Sequence, residues 1–354
     1  MHEIDLKKYQ VRTDLILDSI VHQNLPNLEK KERLHGKIRT TEVYLDAKSA
    51  KTLDKMEGTY LTISFIDITD SSRQEQLGEV LVEELTHLLE LSGIKATDKC
   101  FVVGLGNRES TPDALGPKVI DDILVTKYLF DFDPSQVSKE YRNVSAFIPG
   151  VMGSTGIESS DVILGIIERT KPDFLIVIDA LAASNIDRCN KTIQLTDTGI
   201  HPGSGVGNSR KEISKATIGI PVIAIGVPTI VDAVTIVSDT IQFMLKQFSY
   251  NKENLRNHRH KLIPSIHRNY LNHQTNLTAK EKEQLLGMVG MLEEDQMKSL
   301  IFEVLTPIGY NLMVTPKEVD FVIEKLSKVI SRSINQCLHP KLRKELEQCK
   351  SDKT

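Results

Sequence analysis

Two aspartates follow predicted strands and could perform acid–base chemistry together. Asp179 comes directly after the apolar run 174–178, and Asp113 follows a glycine-rich turn after the apolar segment 100–104. In open α/β sheets, ligands bind at the carboxyl ends of the strands. If the two strands are neighbours, the carboxylates face one crevice, and one of them keeps a proton because close carboxylates cannot both ionise freely. Such a pair can activate water and protonate an amide leaving group.

The same carboxylates could instead bind a divalent metal, with His201 as a third ligand. His201 lies in the segment IHPGSGVGN, whose glycines include Gly203 and Gly205 and can bring the backbone close to a bound group. A third interpretation makes this loop an anion-binding module and the aspartates structural. The residues alone leave these alternatives open.

Several classes of function are disfavoured by composition and motifs. In the turn GLGNRESTPDALGP, Glu109 stands where a dinucleotide motif needs its third glycine, and no Walker lysine follows. A net charge of -4 argues against direct nucleic-acid binding. No apolar run approaches the ~20 residues of a membrane span, and the amino terminus lacks a signal-peptide core. We therefore expect a cytoplasmic protein without membrane or nucleic-acid partners. The four cysteines show no spacing typical of zinc sites or disulfide frameworks.

Strands alternate with helices along the chain, which predicts a three-layer α/β fold with a mostly parallel twisted sheet (phosphorylase/hydrolase-like) and a C-terminal helical segment. We expect a single domain over 15–354, with its core in 50–250 and 297–340 and a surface segment at 251–296. The predicted strands are 60–68, 100–104, 145–149, 173–180, 192–195, 221–227 and 310–314. The predicted helices are 16–23, 74–91, 114–129, 158–169, 231–248, 280–304 and 316–334. Most of residues 1–50 are expected to form an arm, and the tail after Lys341 is expected to fray.

Six separated strings resemble the germination protease family of spore-forming bacteria, over nearly the whole chain: YQVRTDL, GLGNRESTPDALGP, ERTKPDFLIVIDALAA, TDTGIHPGSGVGN, IPVIAIGVPTIVDAV and LMVTPKEVD. The resemblance implies an endopeptidase, a hydrolase of atypical aspartic type, that initiates degradation of small acid-soluble spore proteins. It implies a fold related to the hydrogenase maturation endopeptidases, and no cofactor. Asp113 and Asp179 are the catalytic pair that it implies. The supporting residues would be Asn107, His201, Gly203 and Gly205.

The resemblance also implies a zymogen that assembles as a homotetramer and removes its own propeptide, in the cytoplasm of the forespore and in the spore core. Such enzymes cut between an acidic and a hydrophobic residue. Asp14 and Leu15 fit this rule, so residues 1–14 are the expected propeptide, although Ile16 replaces the usual alanine. The alternatives are a metal-binding maturation endopeptidase of the hydrogenase type, with Asp113, Asp179 and His201 as ligands, and a non-enzymatic anion-binding α/β module.

Overall fold

The computed structural model describes residues 13–23, 25, 28–203, 210–254, 275–305 and 312–351. They fall into two compact units: one is formed by Arg12–Ile230 with Thr315–Thr354, and the other contains Val231–Val314. Within the described residues, no helix is both long and apolar enough to cross a membrane. The first unit contains both aspartates of the predicted pair.

Strands and helices alternate over most of the chain. The strands are β1 (Lys30–His35), β2 (Ile38–Leu45), β3 (Gly58–Ser64), β4 (Cys100–Gly104), β5 (Val144–Phe147), β6 (Phe174–Ala183), β7 (Thr192–Thr196), β8 (Val222–Asp232) and β9 (Met313–Val314). The helices are α1 (Ile16–His22), α2 (Ala47–Leu53), α3 (Ser71–Leu91), α4 (Leu115–Asp121), α5 (Lys127–Phe132), α6 (Met152–Thr155), α7 (Ser159–Thr170), α8 (Lys215–Ile218), α9 (Ala233–Asn254), α10 (Ala279–Leu286), α11 (Glu294–Leu305), α12 (Val319–Leu338) and α13 (Pro340–Ser351).

The strands of the first unit form a sheet in the order β1-β2-β3-β7-β8-β6-β4-β5. β4 pairs in parallel with both β5 and β6. The pairs β1–β2, β2–β3, β3–β7 and β7–β8 are antiparallel. The predicted α/β fold is confirmed, and its parallel part contains β4, which precedes Asp113, and β6, which contains Asp179. Because Gly104 pairs with Ile178, β4 ends level with the residue before Asp179.

The central strands are apolar throughout because both faces of the sheet are covered. On one face Val102 and Ile176 belong to a large buried cluster with residues of α3, α4 and α12. On the other face Val103 and Val177 pack into a second cluster with residues of α7. Alternate residues of the same strands thus supply two cores, which is the three-layer arrangement that the alternation of strands and helices predicts.

The predicted amino-terminal arm is wrong, because β1 and β2 extend the sheet. Val43 and Leu45 of β2 are fully buried, and they pack in a cluster with Ile16 of α1 and with Tyr60. In β2 buried residues alternate in part with exposed ones such as Arg39. The charged residues of the solvent face concealed this strand in the sequence, although Ile38–Leu45 contains the β-branched and aromatic residues that strands favour.

Three predicted helices differ from those observed. The helix expected at 114–129 is divided into α4 and α5, and in the loop between them the Leu124 N–H donates to the Asn335 side chain of α12. The helix expected at 280–304 is divided at Gly287, which has a positive φ of 59°. The Thr315 hydroxyl donates to the Thr229 carbonyl and does not cap a helix, so α12 begins only at Val319.

The carboxyl-terminal part matches the predictions only in places. The tail expected to fray forms the helix α13, which contains the charged sequence after Lys341. The last predicted strand is present at β9, where it pairs with the final residues of β8. Residues 306–311 and most of the basic segment 251–273 lie outside the described residues.

Candidate active site

Asp113 is held by the turn that follows β4. The backbone N–H of Asn107 donates to the Asp113 carbonyl at 3.0 Å and to its side-chain Oδ2 at 2.9 Å. Gly106 has a φ of +110°, and a Cβ at this position would lie 2.0 Å from the Asp113 carbonyl oxygen. Gly106 is therefore required by both conformation and space. Asn107, predicted as a supporting residue, contacts Asp113 through its backbone.

Two further glycines bring α4 against β4. A Cβ on Gly104 would lie 2.3 Å from the carbonyl oxygen of Gly116, and one on Gly116 would lie 2.2 Å from that of Leu105. The glycines of this turn, which does not match a dinucleotide-binding motif, thus allow α4 to pack closely on β4. This packing fixes the short 3-10 turn Thr111–Asp113 that carries the carboxyl group.

Asp179 lies on β6, one residue beyond the last residue of β6 that pairs with β4. It is buried, with 6% of its surface exposed, and its Oδ1 accepts the N–H of Ala180 at 2.9 Å. Sequence reasoning placed Asp179 at the end of its strand, but β6 continues to Ala183. The residues of β6 beyond β4 are therefore free to pair with another segment of chain on that side.

The two carboxyl groups are electrostatically coupled. Burial raises the pKa of Asp113 to about 6. The pKa of Asp179 is raised well above its usual value, first by burial, then by the charge of Asp113 and then by that of Asp14. The charge of Asp113 thus favours the protonated form of Asp179. Two carboxyl groups coupled in this way are suited to different roles in acid–base chemistry.

The segment around Asp14 lies along the extended part of β6. The N–H of Asp14 donates to the Ala182 carbonyl at 3.0 Å, and the N–H of Ala182 donates to the Asp14 side-chain Oδ2 at 2.9 Å. The first of these hydrogen bonds joins the two main chains, and the second uses the Asp14 side chain. The segment is thus held along β6 much as an added strand would be. The structure thus brings the predicted cutting site, Asp14 and Leu15, to the strand that carries Asp179.

Leu15 is 1% exposed and packs against Leu181, Ala183 and Ile200. Alternate residues of a strand share one face of the sheet, so Leu181 and Ala183 lie on the same face as Asp179. The apolar residue after the predicted cut is therefore buried on the face that presents the Asp179 carboxyl group.

Gln194 of β7 is a site residue that sequence reasoning missed. Its Nε2 donates to the Asp14 carbonyl oxygen at 3.2 Å, and its Oε1 accepts the Ile16 N–H at 2.8 Å. Gly226 of β8 pairs with Gln194 across the sheet, and a Cβ on Gly226 would lie 2.3 Å from a Leu181 methyl carbon. The sequence did contain a signal, since TIQLT places an amide between residues typical of a buried strand.

Two cations bind the same segment on either side of Leu15. Lys55 Nζ donates to the Thr13 carbonyl at 2.9 Å, and burial lowers the pKa of this lysine. Arg188 Nε lies 2.6 Å from the carboxylate of Asp18, which is buried. Neither cation was expected from the sequence, because each is far in the chain from the residue that it contacts.

His201 does not join the aspartates. It is exposed, and its Nε2 lies 3.5 Å from Glu212 Oε2. In the described parts of the chain no group of three or more His, Cys, Asp or Glu side chains is arranged to hold a metal, so Asp113, Asp179 and His201 do not form one. Gly203 adopts a positive φ of 74°, as a turn glycine does, and Gly205 lies outside the described residues.

Comparison with known proteins identifies the family. The family model for germination protease matches residues 9–350. A germination protease of Bacillus subtilis is 47% identical over 358 residues, covering 97% of each chain, and one of Bacillus cytotoxicus is 47% identical over 352 residues, covering 95% of each chain. A solved nickel–iron hydrogenase maturation protease from Thermococcus kodakarensis aligns with a TM-score of 0.26 and 15% identity over 41% of this chain and 80% of its own. The chain therefore belongs to the germination protease family.

Proposed function

We propose that this peptidase of the germination protease family is an endopeptidase that initiates the degradation of small acid-soluble spore proteins. We propose further that it is made as a zymogen and cuts itself between Asp14 and Leu15. One observation carries the proposal: the segment with an acidic and then a hydrophobic residue is bound like a substrate strand on β6, beside Asp179.

The mechanism proposed for the cut divides the work between the two aspartates. Asp113, whose pKa is about 6, is the base that takes a proton from water. The water oxygen attacks the Asp14 carbonyl carbon, and the C–N bond to Leu15 breaks. Asp179, whose pKa is raised well above its usual value by burial and by its charged neighbours, gives its proton to the Leu15 nitrogen. The chemistry is that of an atypical aspartic-type peptidase that consumes one water.

In the proposed zymogen Asp14 and Leu15 block the site directly. The Asp14 residue occupies the N–H and C=O groups of Ala182 that a substrate strand would use, and Leu15 fills the apolar pocket formed with Leu181. A spore protein cannot bind there until both Asp14 and Leu15 leave these positions. We propose that the enzyme acts as a homotetramer in the cytoplasm of the forespore and in the spore core, and sedimentation of the purified chain tests the tetramer.

The test is self-cutting of the full-length chain, followed by mass spectrometry. We expect the wild type to yield a new amino terminus at Leu15 and then to digest a purified small acid-soluble spore protein. Asp179→Asn is expected to stay folded and to do neither. Asp122→Asn, a change of an exposed aspartate at the end of α4, is the matched control and is expected to keep both activities. Full activity of Asp179→Asn would refute the proposed mechanism.

A further inference from the structure

Gln194 is a buried amide whose hydrogen bonds go to the segment that is to be cut. It is 6% exposed and lies on β7 between Ile193 and Leu195, which face the main core. A buried amide costs free energy unless its polar atoms are hydrogen-bonded. Both polar atoms of the Gln194 side chain are hydrogen-bonded, one to the Asp14 carbonyl and the other to the Ile16 N–H.

The two hydrogen bonds lie on either side of the predicted scissile bond. Nε2 donates to the carbonyl oxygen of Asp14, whose carbon is attacked, and Oε1 accepts from the Ile16 N–H, the next peptide group after the Leu15 nitrogen. A planar amide that holds both groups fixes the plane of the peptide bond between them. Since Gln194 stands on a strand in the middle of the sheet, its position does not depend on a mobile loop.

We propose, on the basis of the proposed cut between Asp14 and Leu15, that Gln194 is a further catalytic residue that stabilises the oxyanion. As the water oxygen bonds to the carbonyl carbon, the electrons of the C=O double bond move to oxygen and give a negatively charged tetrahedral centre. The Gln194 Nε2–H donates to this oxygen. When the C–N bond breaks, the electrons return and the charge disappears. Such donors act because they are already aimed at the oxygen where charge develops.

The same amide then serves substrates bound from another chain. Once Asp14 departs, the Nε2–H becomes available, and a spore protein that pairs with Ala182 in the same way places its own carbonyl at Gln194. Gly226 keeps the adjacent strand β8 free of a side chain that would push Leu181 away. Gln194, Gly226 and Ala182 thus lie on three adjacent strands, β7, β8 and β6, and the proposed substrate strand would bind across them.

The experiment compares three full-length variants by the first-order rate of self-cutting. Gln194→Glu keeps an acceptor for the Ile16 N–H but replaces the donor by a carboxylate that repels the oxyanion. Gln194→Met has similar length and removes both hydrogen bonds. Gln74→Glu is the matched control, because Gln74 donates to the Ile68 carbonyl outside the site. Hydrogen exchange at the amides of Asp14 and Ile16 reports whether the segment remains bound in each variant.

We expect Gln194→Glu to cut about 100–1000-fold more slowly than the wild type, the range found when a single oxyanion donor is removed, while the Asp14 and Ile16 amides stay protected. Gln194→Met is expected to be as slow and to lose protection of Ile16, and Gln74→Glu to be unchanged. Cutting of Gln194→Glu at the wild-type rate would overturn the proposal. A slower Gln194→Glu whose Asp14 and Ile16 amides have also lost their protection would overturn it as well, since Gln194 would then merely hold the segment.

Two outcomes separate this proposal from the function on which it depends. A wild-type chain that yields no new amino terminus at Leu15 overturns both. A wild-type chain that cuts there, together with an inactive Asp179→Asn and a fully active Gln194→Glu, overturns the role of Gln194 alone.

Discussion

Replacement of Asp113 by asparagine is expected to abolish self-cutting and to stabilise the protein at neutral pH. Asparagine cannot take a proton from water, but its Oδ1 can still accept the Asn107 N–H. Burial raises the pKa of Asp113 from 3.8 to about 6 in the folded protein. The folded state therefore binds this proton more tightly than the unfolded chain, and the resulting stability is fully present below about pH 4 and is lost as the pH rises through about 6.

The magnitude follows from the pKa difference. A change from 3.8 to about 6 corresponds to about 3 kcal/mol of lost stability at neutral pH. Asp113 is partly exposed, and solvent screening reduces this figure to about 1–2 kcal/mol. An asparagine side chain at this position does not ionise and avoids this loss. The Asp113→Asn variant should therefore exceed the wild type in free energy of unfolding by about 1–2 kcal/mol at neutral pH, and by nearly nothing below about pH 4.

Urea unfolding followed by circular dichroism, at about pH 4 and about pH 7.5, measures this difference. The wild type is used directly after purification, with its amino terminus checked by mass spectrometry. Asp122→Asn serves again as the control and should not change how stability varies with pH. If the free energy of unfolding of Asp113→Asn varied with pH as that of the wild type does, the Asp113 carboxyl would not be the buried, protonatable group that the mechanism requires.

The remaining substitutions test the binding of the segment and the turn that holds the base. Leu15→Ala removes a buried apolar side chain worth about 1.5–3 kcal/mol, so self-cutting should slow about 10–100-fold, as measured by mass spectrometry. Lys55→Met removes the donor to the Thr13 carbonyl and should release the segment, seen as faster hydrogen exchange at Asp14. Gly106→Ala forces a Cβ against the Asp113 carbonyl, so both the melting temperature and the cutting rate should fall.

The positions of the two aspartates on neighbouring strands could be predicted because the signals are local. The apolar runs before Asp113 and Asp179 predict buried strands, and the α/β pattern predicts that their ends meet. Gln194 and Lys55 could not be assigned in this way. Gln194 binds a residue 178 positions away in the chain, and Lys55 binds one 42 positions away. The sequence around each residue does not indicate which segment it binds. The strand β2 was missed for a different reason, because charges on its solvent face interrupt the apolar pattern.

In the proposed mechanism Asp14 contributes to catalysis through its charge as well as to binding. The charge of Asp14 is one of the causes that raise the pKa of Asp179, after burial and Asp113. A bound acidic residue therefore helps Asp179 to keep the proton that the leaving nitrogen needs. In Asp14→Asn the side-chain oxygen can still accept the Ala182 N–H, but the charge is absent.

The variant Asp14→Asn should consequently cut itself with a changed pH profile. In the proposed mechanism the rate depends on a protonated Asp179. The decline of the rate at high pH should therefore begin at a lower pH than in the wild type, because the pKa of Asp179 is raised less. The acid limb, set by Asp113 with a pKa of about 6, should stay nearly in place. Initial rates of release of the amino-terminal fragment across the pH range measure both limbs. A uniform fall in rate, with both limbs unmoved, would show that Asp14 contributes binding and leaves the proton on Asp179 unaffected.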